Sequence, residues 1–119
     1  MMIDSVLGIC IRLLFVLIGV HYLCDFPLQG DFLAAAKNKN NPMPKISWRH
    51  CLFAHSFIHA LGVYLVTRSL LLGLVELLLH IEIDRSKSDY TISFRTDQWL
   101  HILCKICYVV IIFEWNQIT

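Results

Sequence analysis

The chain has 119 residues, a net charge of +1, an apolar fraction of 57% and a charged fraction of only 16%. The length suffices for one domain, residues 1–119, and the near-neutral charge with no basic helix face excludes an electrostatic nucleic-acid binder. Soluble domains carry about 25% charged residues, so a soluble bundle this short would lack the polar residues to cover its helices. The composition therefore predicts an all-α integral membrane protein, a single helical domain surrounded by membrane lipids.

Four apolar stretches follow one another along the chain and predict about four transmembrane helices. They cover roughly residues 5–26, 47–67, 69–83 and, beginning near residue 96 or 97, a stretch that ends near residue 115. A bilayer core takes about 20 apolar residues, so the first two stretches are long enough to cross it. The fourth is marginal and the third is shorter still, which leaves open that these two helices enter the bilayer only in part.

Basic residues predict the orientation of these helices. Two loops carry most of them: Lys37, Lys39, Lys45 and Arg49 follow the first helix, and Arg85, Lys87 and Arg95 follow the third. By the positive-inside rule, loops one and three face the cytoplasm and both termini face outward.

Polar residues inside the apolar stretches recur at a spacing of four. The pairs and ladders are His21 with Asp25, His55 with His59, Glu76 with His80 and Asp84, and Asp97 with His101. Side chains at i and i+4 share one helix face, and in an up-down bundle all four stripes lie at the same membrane face. We therefore expect a polar His/Asp pocket at the cytoplasmic end, reaching into the inner leaflet but not across the bilayer.

A hydrogen-bonded network that only holds the helices together is the simplest alternative interpretation. Unpaired polar groups are costly in lipid, and these histidines come with acids on matching faces, which favours a site. Asp25 and Asp97 can act as acceptors that orient His21 and His101. His50, at the start of the second helix, is interpreted as an ordinary interfacial residue.

The order of these motifs resembles a family of small integral membrane proteins from bacteria and phages, domain-of-unknown-function family 3307. Residues 21–29 look like its H-x-x-x-D-F-x-x-Q, residues 55–59 its H-x-x-x-H, residues 80–87 its H-x-x-x-D-x-x-K and residues 97–101 its D-Q-x-x-H. Lys37 resembles the basic residue of its first loop. The likeness covers about residues 18–105 and implies a small protein of the bacterial inner membrane, with its termini in the periplasm, but it supplies no function. A looser analogy links the pattern to membrane-embedded metal-dependent hydrolases.

Imidazole together with carboxylate suits a divalent metal, zinc first, with iron or manganese as alternatives. Cys104 and Cys107 form a CxxC, but no second CxxC accompanies it, which disfavours a thiolate site. The candidate ligands are His55, His59, His80, Asp84 and His101, followed by His21, Asp25 and Asp97. There are more candidates than one metal needs, so two metals, or one metal with a proton relay, both stay open.

The first functional hypothesis is a metal-dependent hydrolase at the inner leaflet. A metal lowers the pKa of a water it binds toward about 7, and Asp84, Asp25 or Glu76 would take the proton as the catalytic carboxylate. A pocket at headgroup depth predicts a lipid, lipid-linked or other amphiphilic substrate, with a phosphate group attracted by nearby basic residues. The candidate substrate contacts are Lys37, Lys87, Gln29 and Gln98.

The alternative function is a non-enzymatic, metal-stabilised membrane factor that binds another membrane protein or modifies the envelope, which the small size and short loops favour. Metal or proton transport needs a polar route to the opposite membrane face, and the apolar outer halves of the helices argue against one. Haem held between paired histidines is a further hypothesis that a Soret band would reveal. Self-association into a homo-oligomer stays open.

Overall fold

The computed structural model describes residues 2–118, with side chains from Ser5 onward, and this part of the chain is all-helical. Its five helices are α1 (Met2–Asp25), α2 (Gly30–Ala36), α3 (Trp48–Thr67), α4 (Leu70–Ser88) and α5 (Phe94–Ile118). The predicted all-α class is confirmed. The four long helices correspond to the four predicted apolar stretches: α3 has nearly the predicted bounds, α1 begins earlier, α4 continues five residues farther, and α5 is longer at both ends.

The helix α2 was not predicted, because its apolar run, residues 32–36, is far too short to register as a transmembrane stretch. The chain leaves α1 at Asp25, passes Pro27 and re-enters a helix at Gly30, whose φ of 64° is readily adopted only by glycine. Ala36, at the end of α2, is fully buried, and α2 packs against α3. This short helix leads the chain back over the bundle and delivers Lys37 to its interior.

Three helices are long and apolar enough to cross a membrane: Ser5–Asp25, Trp48–Thr67 and Phe94–Ile118. The helix α4 is not among them. Its apolar part, residues 70–83, is only about 20 Å long at about 1.5 Å per residue, whereas the hydrocarbon core is about 30 Å thick. The structure thus supports three candidate spans of the four that were predicted.

The bundle buries many charged and polar side chains and exposes many large apolar ones. Its buried side chains include five histidines, four carboxylates and two lysines, whereas Phe15, Leu78 and Trp99 are each at least 66% exposed. Charged side chains are rarely buried in soluble domains, and extensive exposed apolar surface marks contact with lipid or protein. This inverted distribution is compatible with helices that lie in a membrane.

A two-residue connection joins α3 and α4 into an antiparallel hairpin. Arg68 adopts the left-handed conformation with φ 59°, and its N–H donates to the Tyr64 carbonyl at 2.7 Å. Ser69 then caps α4 by accepting a hydrogen bond from the Leu72 N–H at 3.2 Å. Because both helix ends are fixed by caps, the register between α3 and α4 is set at this turn.

Polar contacts hold the loop after α2 across the C-terminal end of α4. Lys39 Nζ lies 2.9 Å from Asp89 Oδ1, and the Asn40 side-chain amide donates to the Ser88 carbonyl at 2.6 Å and to Asp89 Oδ1 at 3.0 Å. These hydrogen bonds from Lys39 and Asn40 lower the pKa of the Asp89 carboxyl. The loop is therefore positioned above the polar interior of the bundle.

Close packing of the hairpin leaves little room for a side chain at Gly73. A Cβ at Gly73 would lie 3.2 Å from the Ala60 carbonyl oxygen and 3.2 Å from Tyr64 Cβ, whereas a Cβ at Gly19 would meet nothing within 4 Å. We expect Gly73→Val to destabilise the protein by about 1–3 kcal/mol through overpacking, measured by unfolding in mild detergent. Gly19→Val is the matched control, and an equal loss in both variants would contradict the packing argument.

Candidate metal centre

Five histidines from all four long helices meet between them, and each is at most 2% exposed. They are His21 from α1, His55 and His59 from α3, His80 from α4 and His101 from α5, called here the histidine cluster. His80 lies at its centre. Its ring stacks on His59 with centroids 3.8 Å apart and on His101 at 4.2 Å, and it meets His55 edge-on at 5.0 Å.

The spacing of four turns each of these histidines toward the bundle axis. On α3, His55 and His59 are buried, while Phe53 and Phe57 are each about half exposed on the outer face. The same alternation places His80 inside α4 while Leu78 points outward. The helical period of 3.6 residues thus places the histidines on the buried face of each long helix and apolar side chains on its exposed face.

Two carboxylates link the imidazoles of different helices. Asp25 Oδ1 lies 3.1 Å from His59 Nε2 and 3.3 Å from His55 Nε2. Asp84 Oδ1 lies 3.3 Å from His101 Nε2, and Asp84 Oδ2 lies 3.4 Å from His55 Nε2. Residues from α1, α3, α4 and α5 are therefore joined through only two acids.

Four of these side chains form a donor set with metal-like geometry: Asp25, His55, His59 and His80, called here the Asp25 donor set. One ligand atom from each lies within 4.8 Å of all the others, and all four residues are buried. Tetrahedral zinc with bonds of about 2.0–2.1 Å separates neighbouring ligand atoms by about 3.3 Å. His55 Nε2 lies 3.2 Å from His80 Nε2 and 3.3 Å from Asp25 Oδ1, so these spacings fit a bound metal.

The contacts of the two ring nitrogens of His55 are also compatible with a cation bound at Nε2. His55 Nε2 faces His80 Nε2 and two carboxylate oxygens, Asp25 Oδ1 and Asp84 Oδ2, at 3.2–3.4 Å, while His55 Nδ1 is buried without a hydrogen-bond partner among residues 5–118. A neutral imidazole has one N–H, which cannot serve both carboxylates fully and leaves the other nitrogen an unpaired acceptor. A cation bound by His55 Nε2 would instead free the proton to sit on Nδ1.

Two further groups can also hold a metal: Glu76 with His80 and His101, and Asp84 with Asp97 and His101. Each of their carboxylates already faces a lysine. Lys105 contacts Glu76, Lys87 lies 3.5 Å from Asp97, and Lys37 forms a buried ion pair with Asp84. By contrast, Asp25 has no lysine or arginine partner among residues 5–118, only imidazoles and Gln98. The Asp25 donor set is therefore where a metal is most needed to balance charge.

The predicted residues on α1 and α5 lie around this set. Gln98 donates to Asp25 Oδ2 at 2.7 Å and to Asp97 Oδ2 at 3.1 Å. His21 Nε2 lies 3.2 Å from Gln98 Oε1, and Asp97 lies 3.5 Å from His101. Gln98 and His21 thus contact Asp25 of the donor set, and Asp97 contacts Gln98. These residues form the kind of outer hydrogen-bonding layer that orients ligands in metal sites.

Three of the remaining candidates occupy different surroundings. Lys37 is only 4% exposed and forms an ion pair with Asp84, so it lies inside the bundle. Lys87 is 26% exposed and lies at the edge of the bundle interior. Gln29 donates to the backbone carbonyl of Asp25, and its own side-chain oxygen is buried without a partner. His50 is exposed and away from the cluster, as its interfacial interpretation predicts.

Sequence reasoning missed the buried partners of Glu76. Lys105 Nζ lies 2.6 Å from Glu76 Oε1, and Tyr108 donates to Glu76 Oε2 at 2.7 Å. His80 Nδ1 lies 3.3 Å from the same Oε1. A signal was present, because Lys105 follows His101 by four residues within an apolar stretch and so shares its buried face.

Apolar residues close the bundle beyond this polar region. Leu17, Val63 and Leu72 precede or follow His21, His59 and Glu76 by four residues, and they form the buried apolar core together with Tyr108 and Val109. One helical turn therefore separates the polar interior from an apolar one on every long helix. The polar residues occupy one end of the bundle only.

Comparison with known proteins gives one match. A family model described as a protein of unknown function, DUF3307, matches residues 13–118, a range that contains every residue of the polar interior. No curated protein and no solved structure matches the chain.

The buried Glu76–Lys105 pair predicts a strong mutational effect. Lys105→Met leaves the Glu76 carboxylate without a cation in a low-dielectric interior, and we expect a loss of about 3–5 kcal/mol in the free energy of unfolding. The double variant Glu76→Gln/Lys105→Met should recover most of it. The matched control is Lys39→Met, which breaks a partly exposed ion pair worth about 0–1 kcal/mol. Denaturant unfolding in mild detergent measures all three, and equal losses for Lys105→Met and Lys39→Met would refute the assignment.

Proposed function

The chain belongs to the DUF3307 family of proteins of unknown function, and we propose that it is a membrane-embedded, metal-dependent hydrolase. The proposed metal ligands are Asp25, His55, His59 and His80. The observation that carries the proposal is the Asp25 carboxylate, buried among imidazole nitrogens at 3.1–3.5 Å and lacking a lysine or arginine partner in the described part of the chain. Imidazole with one carboxylate suits zinc, with iron or manganese as alternatives.

The residues around the donor set divide the chemical work. A bound divalent metal would supply Lewis acidity and make a coordinated water more acidic. Asp84 lies next to the set, 3.4 Å from His55 and 3.5 Å from His80, and is not one of its four ligands, so it is the proposed proton acceptor. Lys37 pairs with Asp84 and favours its ionised form. Glu76 orients His80 through Nδ1, as carboxylates do for metal-ligating histidines.

The location of the site supports an amphiphilic substrate at the inner leaflet. Basic residues in the loops near the site favour the cytoplasmic side, and the surrounding helix faces are apolar. Gln98 and Lys87 are partly exposed and border the cluster, so a lipid or lipid-linked phosphate would enter past them. The apolar turn beyond the site argues against a transport route. Histidine rings stacked at 3.8 and 4.2 Å leave no gap for a haem.

Full burial of the four ligands favours a second candidate function. Structural metal sites are closed by four protein ligands, whereas catalytic zinc usually has three and keeps a position for water. With four ligands, at most 8% exposed, the metal would hold the bundle together, and the protein would act by binding another membrane protein or by modifying the envelope. Turnover of a defined substrate separates this candidate from the hydrolase.

Metal content tests the donor set directly. We expect about one zinc, iron or manganese ion per chain in protein purified without chelators or a histidine tag, measured by elemental mass spectrometry. His55→Ala, His80→Ala and Asp25→Asn should each lose most of it, because each removes a ligand. His50→Ala is the matched control and should retain it. A metal-free parent that stays so after incubation with all three ions would sink the metal assignment and leave a hydrogen-bonded network.

Hydrolysis tests the reaction. Asp84→Asn should retain its metal but lose about 10²–10⁴-fold in turnover, since it removes the proposed proton acceptor. The assay follows products by mass spectrometry after incubation with phospholipids and polyprenyl phosphates in mixed micelles. Again His50→Ala is the control. A metal-loaded parent that hydrolyses none of these substrates would favour the non-enzymatic factor, and unchanged turnover in Asp84→Asn would remove Asp84 from the mechanism.

A further inference from the structure

A groove on the outer face of the bundle runs between the start of α3 and the end of α4. Its lining consists of Trp48, Arg49, Leu52, Phe53, Ile81 and Arg85, called here the arginine groove. We propose that this groove binds the phosphate of an anionic phospholipid, with the acyl chains lying along α3.

Two guanidinium groups at the groove are available to a phosphate. Arg49 has no acidic partner in the part of the chain that the structure describes, and its guanidinium lies 5.4 Å from the centroid of the Trp48 ring. Arg85 lies 3.6 Å from Glu82, with side chains 50% and 70% exposed. Such an exposed pair is weak and readily exchanged, and arginine binds phosphate through paired N–H donors.

The apolar lining favours a lipid over a free phosphate. Leu52 is buried at the base, while Phe53 is about half exposed and lies beside Phe57, with ring centroids 5.9 Å apart. Phe57 is one helical turn farther toward the apolar surface. The groove therefore continues from charged donors into an exposed aromatic path, which suits a headgroup joined to a chain.

The groove lies at the same end of the bundle as the basic loops and opens on the outer surface, whereas the proposed metal ligands are buried in the interior. Anionic lipids are concentrated in the cytoplasmic leaflet, and basic pockets between membrane helices bind their headgroups. No groove residue belongs to the histidine cluster or to the Asp25 donor set. The inference is thus independent of the proposed hydrolysis.

Fluorescence of Trp48 tests the groove. The chain has three tryptophans, so Trp99→Phe/Trp115→Phe leaves Trp48 as the only one. The protein is reconstituted into phosphatidylcholine vesicles that contain a brominated lipid, either brominated phosphatidylglycerol or brominated phosphatidylcholine, at equal mole fraction. We expect brominated phosphatidylglycerol to quench Trp48 with an apparent affinity on the order of tenfold higher than that of brominated phosphatidylcholine, given two arginines near the surface.

Variants in the same background decide what causes the preference. Arg49→Gln/Arg85→Gln, and to a lesser degree Arg49→Gln alone, should lower the apparent affinity for phosphatidylglycerol toward the affinity for phosphatidylcholine, so that the preference is lost, while metal content stays unchanged. Arg95→Gln, an exposed arginine at the same end outside the groove, is the matched control and should keep it. Equal quenching by the two lipids, or an equal loss in Arg95→Gln, would overturn the proposal. Displacement by millimolar inorganic phosphate would instead identify a free-phosphate site.

Discussion

The carboxylates of Asp25 and Asp84 each contact imidazoles from other helices, and the arrangement of the four long helices depends on these two shared carboxylates. Asp25 joins α1 to His55 and His59 on α3 and to Gln98 on α5, while Asp84 joins α4 to α3 and α5. An ionised carboxylate away from water is tolerated only when its charge and lone pairs find partners. The long helices therefore cannot slide independently without leaving a buried charge unmatched.

The spacing of polar residues predicted the convergence of the histidines, because a repeat of four is a local property that any helix turns into one face. The family was likewise visible in the order of the motifs. What the sequence did not reveal depends on tertiary contacts. Lys37 looked like a loop cation, and only the path of α2 carries it to Asp84. The spacing of four from His101 places Lys105 on a buried face, but its pairing with Glu76 joins two helices and depends on the tertiary structure.

A metal and a purely hydrogen-bonded network make different demands on the same side chains. In a hydrogen-bonded network, each close pair of polar atoms needs a proton between them. His55 Nε2, however, lies 3.2 Å from His80 Nε2 and also beside two carboxylates. Full protonation of His55 would add a positive charge but would still place only one donor on Nε2 beside two carboxylates. A cation shared by several lone pairs would meet this demand, and it would explain why Asp25, alone among the buried acids in residues 5–118, has no lysine partner.

Whether such a cation is structural or catalytic depends on Asp84 more than on the ligands. Four buried protein ligands describe a closed site, which by itself favours a role in holding the helices together. Asp84, however, follows His80 by one helical turn on α4, so the helix that supplies a ligand also places a spare carboxylate beside it. Asp84 also joins α4 to α3 and α5, so a structural role accounts for its burial as well. Lys37 balances the charge of Asp84 in either role, and what favours catalysis is the position of this carboxylate beside the ligands without being one of the four.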